Sequence, residues 1–148
     1  MKTQELVPGE WGGNFGVAQR ILIVNPDERV LAMRRSETAP SRPLWWDIPG
    51  GVLEHGEDTM EGVLRELEEE AGITRDKVSI SILDIGSGFN DKDEYWVTAC
   101  YTAEVDSSEV KLSFEHSEYK WVTPSEFLEM KTSPRIKQFL NKLIESNS

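Results

Sequence analysis

The sequence contains little cysteine and no long apolar run. A single cysteine, Cys100, excludes an internal disulfide framework and a cysteine zinc cluster. It stands in an apolar run, residues 96–101, so we expect a buried thiol rather than a catalytic one. The longest purely aliphatic run, residues 21–24, is far too short to span a bilayer, and the N-terminal segment lacks the apolar core of a secretion signal. We therefore expect a cytoplasmic protein with no membrane partner.

Positive charge is also scarce. The chain has 16 Lys and Arg against 27 Asp and Glu, which gives a net charge of −11. Long nucleic acids and anionic membranes bind through basic surfaces, so neither is an expected partner. A small polyanion is compatible with this charge, because a metal ion can supply the missing positive charge locally.

Strand-like and helix-like segments interleave along the chain. Its 148 residues, 38% of them hydrophobic, predict one domain, residues 1–148, with a full core. The expected strands cover residues 14–25, 29–35, 44–48, 78–86, 95–105 and 118–122, with turns at residues 26–28 and 90–94. Asp58 and Gly72 are the expected caps of a helix, and Pro124 and Pro134 open two more. This order predicts an α/β domain.

The first of these helices carries two separate stripes. Glu66, Glu69 and Glu70 fall inside an arc of roughly 100° at 3.6 residues per turn. Met60, Val63, Leu64, Leu67 and Ala71 fill an apolar arc beside it. Like charges at this spacing repel by roughly 0.2–0.5 kcal/mol per pair, and a bound cation reverses that effect. A solvated charged face is the alternative interpretation, but it explains neither the flanking glycines nor the spacing.

Carboxylates in this arrangement suit a hard cation such as Mg²⁺, which takes oxygen ligands and bridges them to phosphates. Glu69 and Glu70 are the expected ligands. Glu66, on the same face, is the candidate general base for a metal-bound water. Arg65 is placed to brace one of these carboxylates.

The segment from Gly51 to Ile73 resembles the box of the Nudix hydrolase family. That pattern is a glycine, five residues, a glutamate, seven residues, then Arg-Glu-apolar-x-Glu-Glu-x-Gly-apolar. Every fixed position is filled here: Gly51, Glu57, Arg65, Glu66, Leu67, Glu69, Glu70, Gly72 and Ile73. The resemblance implies an α/β/α sandwich around a mixed β-sheet. It also implies Mg²⁺- or Mn²⁺-dependent hydrolysis of a diphosphate linkage in a nucleoside diphosphate derivative, with water attacking phosphorus.

The resemblance also implies roles for individual residues. Glu66, Glu69 and Glu70 take the metal and base roles, Arg65 and Glu57 supporting electrostatic roles, and the Gly50 carbonyl a metal contact. Many family members draw a further acid from a loop before the late strand. Glu115 and Glu118 are the local candidates, and the alternative is that both are ordinary polar residues.

Residues outside the box are candidates for binding the substrate. Trp11, Phe15, Trp45 and Phe89 are able to stack on a base, although most aromatics at strand spacing are core residues. We favour Phe89, because Gly86 and Gly88 open the backbone beside it. Either Arg34 or Arg35 is expected to reach a phosphate, since strand alternation lets only one of them face that side. Gly62 interrupts the helix, either because a side chain would crowd the site or because it is merely tolerated.

The sequence leaves the substrate and the oligomeric state open, a homodimer included. It lacks the proline after the box that is typical of the ADP-ribose-cleaving subgroup, and Val52 stands where several members that cleanse oxidised nucleoside triphosphates carry lysine. Nucleoside triphosphates, nucleotide sugars, dinucleoside polyphosphates and RNA 5′ ends remain, with RNA least favoured by charge. Two other classes stay in view: a catalytically silent nucleotide-binding sensor and an acidic interaction module.

Overall fold

Strands and helices interleave along residues 15–147, the part of the chain that the computed structural model describes. The strands are β1 (Phe15–Val24), β2 (Val30–Arg35), β3 (Trp46–Asp47), β4 (Gly50–Val52), β5 (Val78–Phe89), β6 (Tyr95–Val105) and β7 (His116–Val122). The helices are α1 (Thr59–Ala71), α2 (Pro124–Leu128) and α3 (Pro134–Ser146), with a 3₁₀ turn at Arg75–Lys77.

The strands form one mixed sheet. Its order is β3-β2-β1-β6-β5, with β4 paired to β1 and β7 paired to β2. The β1–β6 pair is parallel and the other pairs are antiparallel. The β1–β2 connection is a hairpin only at its tip, where Val24 faces Val30. Beyond that point β2 pairs with β7, and β1 pairs with β4 around Arg20 and Gly50. The sheet therefore forks beside Gly50.

Helices cover both faces of the sheet. Ile21 and Ile23 of β1 pack in one buried cluster with Val63, Leu67 and Ala71 of α1. Leu22 points to the opposite face, into a cluster with α2 and α3 side chains, among them Phe127, Phe139 and Leu140. This alternation along one strand buries both sides of the sheet. The α/β/α sandwich around a mixed sheet is confirmed.

Local capping determines where the helices begin and end. The Asp58 carboxylate accepts hydrogen bonds from the N–H groups of Met60 and Glu61, and Gly72 ends α1 in the left-handed region at φ 70°. The predicted apolar stripe of α1 was wrong at one position, because the Met60 side chain in the first turn is 39% exposed rather than buried. Cys100 is fully buried, as expected. Within residues 15–147, no helix is long and apolar enough to cross a membrane.

Candidate active site

Two glycines of β4 allow the backbone to approach α1 closely. The Gly50 N–H donates to Glu70 Oε2 at 2.7 Å. Gly50 has φ 150°, and a Cβ there would overlap the carbonyl oxygen of Gln19, so only glycine fits. A Cβ on Gly51 would lie 2.5 Å from Glu66 Oε1. These glycines therefore place the loop backbone directly against the carboxylates of the box.

Gly62 makes room for a different contact. An added Cβ would lie 2.9 Å from Gln19 Oε1 and 3.0 Å from Glu57 Oε1. Gln19 is buried and also joins the sheet to α1, because its Nε2 donates to the Thr59 carbonyl at 3.0 Å. Crowding of the site is therefore the interpretation of Gly62 that the structure supports.

Glu70 is buried next to a second acid. Its exposed fraction is 7%, and the carboxyl of Glu66 lies close enough to contribute to its pKa. Burial raises the pKa of Glu70 to about 9, and Glu66 adds to this shift, whereas the Gly50 N–H and the Arg20 charge oppose it. Without a cation, Glu70 thus holds a proton at neutral pH. A divalent cation would stabilise its carboxylate form instead.

Arg65 connects three carboxylates rather than bracing one. Its Nε and Nη2 donate to the two oxygens of Glu57 at 2.8 and 3.2 Å. Its Nη1 donates to Glu66 Oε1 at 3.0 Å and to Glu69 Oε2 at 3.3 Å. These carboxylates hold the pKa of Arg65 above its usual range. The hydrogen bonds to Glu57 contribute most to this shift. The fixed fork of the guanidinium thereby orients the box acids.

The three box glutamates do not all meet at one point. Glu66 and Glu70 are in contact, whereas the Glu69 side chain is 58% exposed and directed to Arg65. Within residues 15–147, no three His, Cys, Asp or Glu side chains converge closely enough to form a ready metal cluster. Glu66 and the buried Glu70 nevertheless offer the oxygen donors that Mg²⁺ takes. A metal role for Glu69 stays a prediction.

Neither candidate for the further acid touches the box. Glu118 pairs with Arg34, 2.9 Å between Oε1 and Nη1. The Glu115 N–H donates to Ser113 Oγ, and its carbonyl accepts from the Ser36 N–H. In the described part of the chain, no hydrogen bond or ion pair joins Glu115 or Glu118 to Glu66, Glu69 or Glu70. A role for either acid stays a prediction.

An ion-pair cluster beside the box was not predicted. Asp47 is buried and pairs with Arg20 and with Arg35, the latter at 3.0 Å. Burial alone would raise the pKa of Asp47. The charge of Arg20 and weaker contributions from other nearby groups, Arg35 among them, hold this pKa well below its usual range. Arg20 Nη2 also donates to the Ile48 carbonyl at 2.9 Å. An arginine within the apolar β1 run was the sequence signal for this cluster.

His116 lies behind the same cluster. Its Nε2 is 3.8 Å from Asp47 Oδ2, beyond hydrogen-bonding range, and both of its buried ring nitrogens lack a hydrogen-bond partner.

A cleft of about 460 Å³ opens on the α3 side of the sheet at this ion-pair cluster. Arg20, Arg35 and Trp45 lie in its wall, so Arg35 faces the cleft, whereas Arg34 pairs with Glu118 elsewhere. The Trp45 ring already packs against two cations, with Arg42 and Lys131 each 5.2 Å from its centroid. We call this opening the basic cleft, and five of its lining residues are cationic: Arg20, Arg35, Arg42, Lys92 and Arg135.

The reason given for favouring Phe89 was wrong. Gly86 and Gly88 do not open a base site, because the guanidinium of Arg135 lies against them; an added Cβ on Gly88 would be 3.4 Å from Arg135 Nη2. Phe89 itself is 69% exposed and packs on Tyr95, with the ring centroids 5.1 Å apart. Glycine within a strand also marks a point where another group approaches the backbone closely, and here that group is Arg135.

A second cleft, about 600 Å³, lies beside the loop that carries Glu57. Phe15 and Trp96 form its aromatic walls. Of the four stacking candidates, Phe15 and Trp45 therefore line clefts. Trp11 lies outside the described residues.

The chain belongs to the NUDIX domain family, whose sequence profile matches residues 14–143. The MutT protein from Methanosarcina mazei has a similar structure, with 31% identity and a TM-score of 0.78 over 93% of this chain and 98% of that one. A Caenorhabditis elegans Ap4A hydrolase shares the fold, with 22% identity and a TM-score of 0.75 over 89% of this chain and 97% of that one.

A curated relative is larger than this chain. The m7GpppN-mRNA hydrolase NUDT17 of Xenopus laevis is 40% identical over 74 residues, which cover 50% of this chain and 24% of that protein. The matched part is therefore about a quarter of that relative's length.

Proposed function

We propose that this chain is a Nudix pyrophosphohydrolase, which cleaves a diphosphate linkage in a nucleoside diphosphate derivative by attack of water on phosphorus. The observation that carries the proposal is the buried Glu70 beside Glu66, with Glu66 oriented by Arg65 and Glu70 held against the Gly50 backbone. A buried acid next to a second acid is unfavourable for the isolated fold, and it becomes useful where a cation and a phosphate meet.

Each acid of the box has a distinct task in this proposal. Glu66, Glu69 and Glu70 would hold Mg²⁺ or Mn²⁺, which offsets charge on the diphosphate and lowers the pKa of a coordinated water. Glu66 accepts the proton as the water oxygen bonds to phosphorus and the bridging P–O bond breaks. Arg65 keeps Glu57, Glu66 and Glu69 in place through the four hydrogen bonds described above. The products are two phosphate esters or anhydrides, one of which carries the oxygen from water.

The relatives suggest which substrates to test first. The Xenopus relative is named an m7GpppN-mRNA hydrolase and the nematode structure is an Ap4A hydrolase. Cap-type and dinucleoside polyphosphate substrates therefore belong in the panel beside nucleoside triphosphates and nucleotide sugars. The charge argument against RNA applies to a long chain rather than to a short 5′ end, because cationic residues outnumber acidic ones in the lining of the basic cleft.

The test is a hydrolysis panel with Mg²⁺ or Mn²⁺ at mildly alkaline pH, using the protein and two variants. Glu66→Gln should lower kcat by about 10²–10⁴-fold, the usual contribution of a positioned base. Glu68→Gln is the matched control, since Glu68 is exposed on the same helix and touches none of the box acids. Turnover that is equal in the wild type and in Glu66→Gln would refute the proposed site. Nucleotide binding without any turnover, measured by calorimetry on the same panel, would favour the sensor interpretation instead.

A further inference from the structure

The basic cleft is anomalous in a protein with a net charge of −11. Five cationic residues line it, against two acidic ones, Asp47 and Asp91. Arg20 and Arg35 are explained by the fold, because both are held by the buried Asp47 carboxylate. Three cations are left over, and we call Arg42, Lys92 and Arg135 the cleft cations.

The cleft cations have no acidic partner in the described part of the chain. Arg135 Nη1 donates to the neutral Gln138 Oε1 at 2.8 Å, and Arg42 lies over the Trp45 ring. Elsewhere in the same structure, arginines such as Arg65 and Arg75 pair directly with carboxylates. Three cations left without carboxylates around one concavity indicate that the negative charge is supplied from outside.

The position of Arg135 depends on the sequence of a neighbouring strand. The guanidinium lies flat against β5 where Gly86 and Gly88 leave space, and a side chain at residue 86 would occupy the place of Arg135 Nη1. Arg135 is thus directed along the sheet into the cleft rather than outward from α3.

The loop that carries Arg42 is held in an unfavourable backbone conformation. Arg42 and Leu44 have φ 46° and 65°, a region that residues with a Cβ rarely adopt. The Trp45 N–H donates to the Arg42 carbonyl at 3.2 Å, which closes this turn. The two backbone outliers flank Pro43 and set Arg42 on the face of Trp45. Strain of this kind is characteristic of ligand-binding loops.

Arg20 links the cleft to the proposed site. This arginine lines the cleft, donates to the Ile48 carbonyl just before Gly50, and acts electrostatically on Glu70. A substrate whose scissile diphosphate lies at the box would therefore reach the cleft cations by passing Arg20. What occupies the cleft should be anionic and rich in oxygen acceptors.

We propose that Arg42, Lys92 and Arg135 form a phosphate subsite, so that the preferred substrate carries phosphates beyond the pair that is cleaved. This inference rests on the proposed function and selects nucleoside polyphosphates and dinucleoside polyphosphates over nucleotide sugars. Arg42 and Arg135 act as specificity residues for the length of the phosphate chain.

The experiment uses dinucleoside polyphosphates that have identical nucleosides and two, three or four bridging phosphates. In the wild type, kcat/KM should rise about tenfold or more from two phosphates to four, the size expected for one charge-assisted hydrogen bond. Arg135→Gln and Arg42→Gln should remove this rise, mainly through KM. Lys137→Gln, an exposed cation on α3 outside the cleft, is the matched control and should retain it.

Two further variants separate binding from folding. Arg135→Lys keeps the positive charge and should recover part of the dependence on phosphate number, which a purely structural role would not predict. Lys92→Gln changes an exposed loop residue, so a loss of phosphate dependence there is not a folding defect. Unfolding temperatures of all variants are measured alongside the kinetics.

Binding of inorganic tripolyphosphate in EDTA, measured by calorimetry, tests the subsite without turnover. The wild type and Lys137→Gln should bind it alike, and Arg135→Gln about tenfold or more weakly. Equal binding by all variants, or an unchanged dependence on phosphate number, would overturn the subsite. A variant that changes discrimination between bases rather than phosphate number would overturn it too. Absence of turnover with every substrate would refute the proposed function alone, because the calorimetric result stands independently.

Discussion

Replacement of Glu70 by glutamine should stabilise the metal-free protein at alkaline pH. The wild-type pKa of Glu70 is raised from 4.5 to about 9 in the folded state, chiefly by burial. A group with a raised folded pKa contributes stability that is complete below its unfolded pKa and is lost as pH rises towards its folded pKa. The wild type should therefore lose stability between about pH 4.5 and 9, whereas glutamine does not titrate.

The chemistry of the replacement makes the comparison direct. In the Glu70→Gln variant, the new amide oxygen still accepts the Gly50 N–H, and the amide N–H₂ donates to Glu66 as a protonated Glu70 does. Glutamine is thus a permanent form of the neutral acid, and the variant should fold normally.

The magnitude follows from the width of the pH window. Each pH unit inside it is worth up to about 1.4 kcal/mol, so pH 5 and pH 8 differ by at most about 4 kcal/mol. Coupling to Glu66 spreads the titration, and we expect the gap between variant and wild type to widen by roughly 2–4 kcal/mol, or about 4–16 °C in Tm.

The assay is thermal and urea unfolding in EDTA at several pH values between 5 and 8. Glu68→Gln, exposed on the same helix, is the control and should show no such widening. Added Mg²⁺ should narrow the gap between variant and wild type at pH 8, because it stabilises the wild type by roughly 2.7 kcal/mol at a hundred times its Kd and has a poorer site in the variant. If the difference in unfolding free energy between variant and wild type is independent of pH, or narrows as pH rises, the interpretation of Glu70 as a buried neutral acid is refuted.

Two further predictions concern the neighbours of this acid. Gly51→Ala should lower kcat while leaving the free energy of unfolding within about 1 kcal/mol of the wild-type value. The new Cβ would lie 2.5 Å from Glu66 Oε1, so it meets the end of a side chain rather than backbone. A kcat equal to that of the wild type in the hydrolysis assay would contradict this prediction. Asp47→Asn should destabilise by about 3–5 kcal/mol in urea unfolding at pH 7, since it leaves Arg20 and Arg35 half-buried without a counter-charge. Because the pKa of Asp47 is lowered in the folded state, the difference in unfolding free energy between wild type and Asp47→Asn should shrink as pH falls below about 4. A difference that is independent of pH would count against the ion pairs.

Features that depend on neighbouring residues in the chain were predictable. Asp58 and Gly72 marked the ends of α1, because capping is a local interaction of backbone and side chain. The apolar positions of α3, such as Ile136 and Phe139, recur at helical spacing and are buried. The acidic face of α1 was likewise visible from the helical period alone.

Features that depend on distant pairs were not predictable. Asp47 meets Arg20 across the fork of the sheet, and sequence periodicity contains no information on that pairing. The glycines of β5 indicated that something approaches the strand, but only the fold shows that it is Arg135. Met60 has the right helical phase for burial, yet its side chain is 39% exposed in the first turn of α1.

The basic cleft shows why a net charge restricts only part of the range of partners. Exposed charges separated by more than about 8 Å are largely screened at physiological ionic strength. A long polyanion that lies across the surface meets the excess of acidic residues, whereas a short phosphate chain inside the cleft meets chiefly its lining cations. These cations come from five separate segments of the chain, so only the fold brings them together. A net charge of −11 therefore argues against extended nucleic acid and leaves a compact polyphosphate as a suitable ligand.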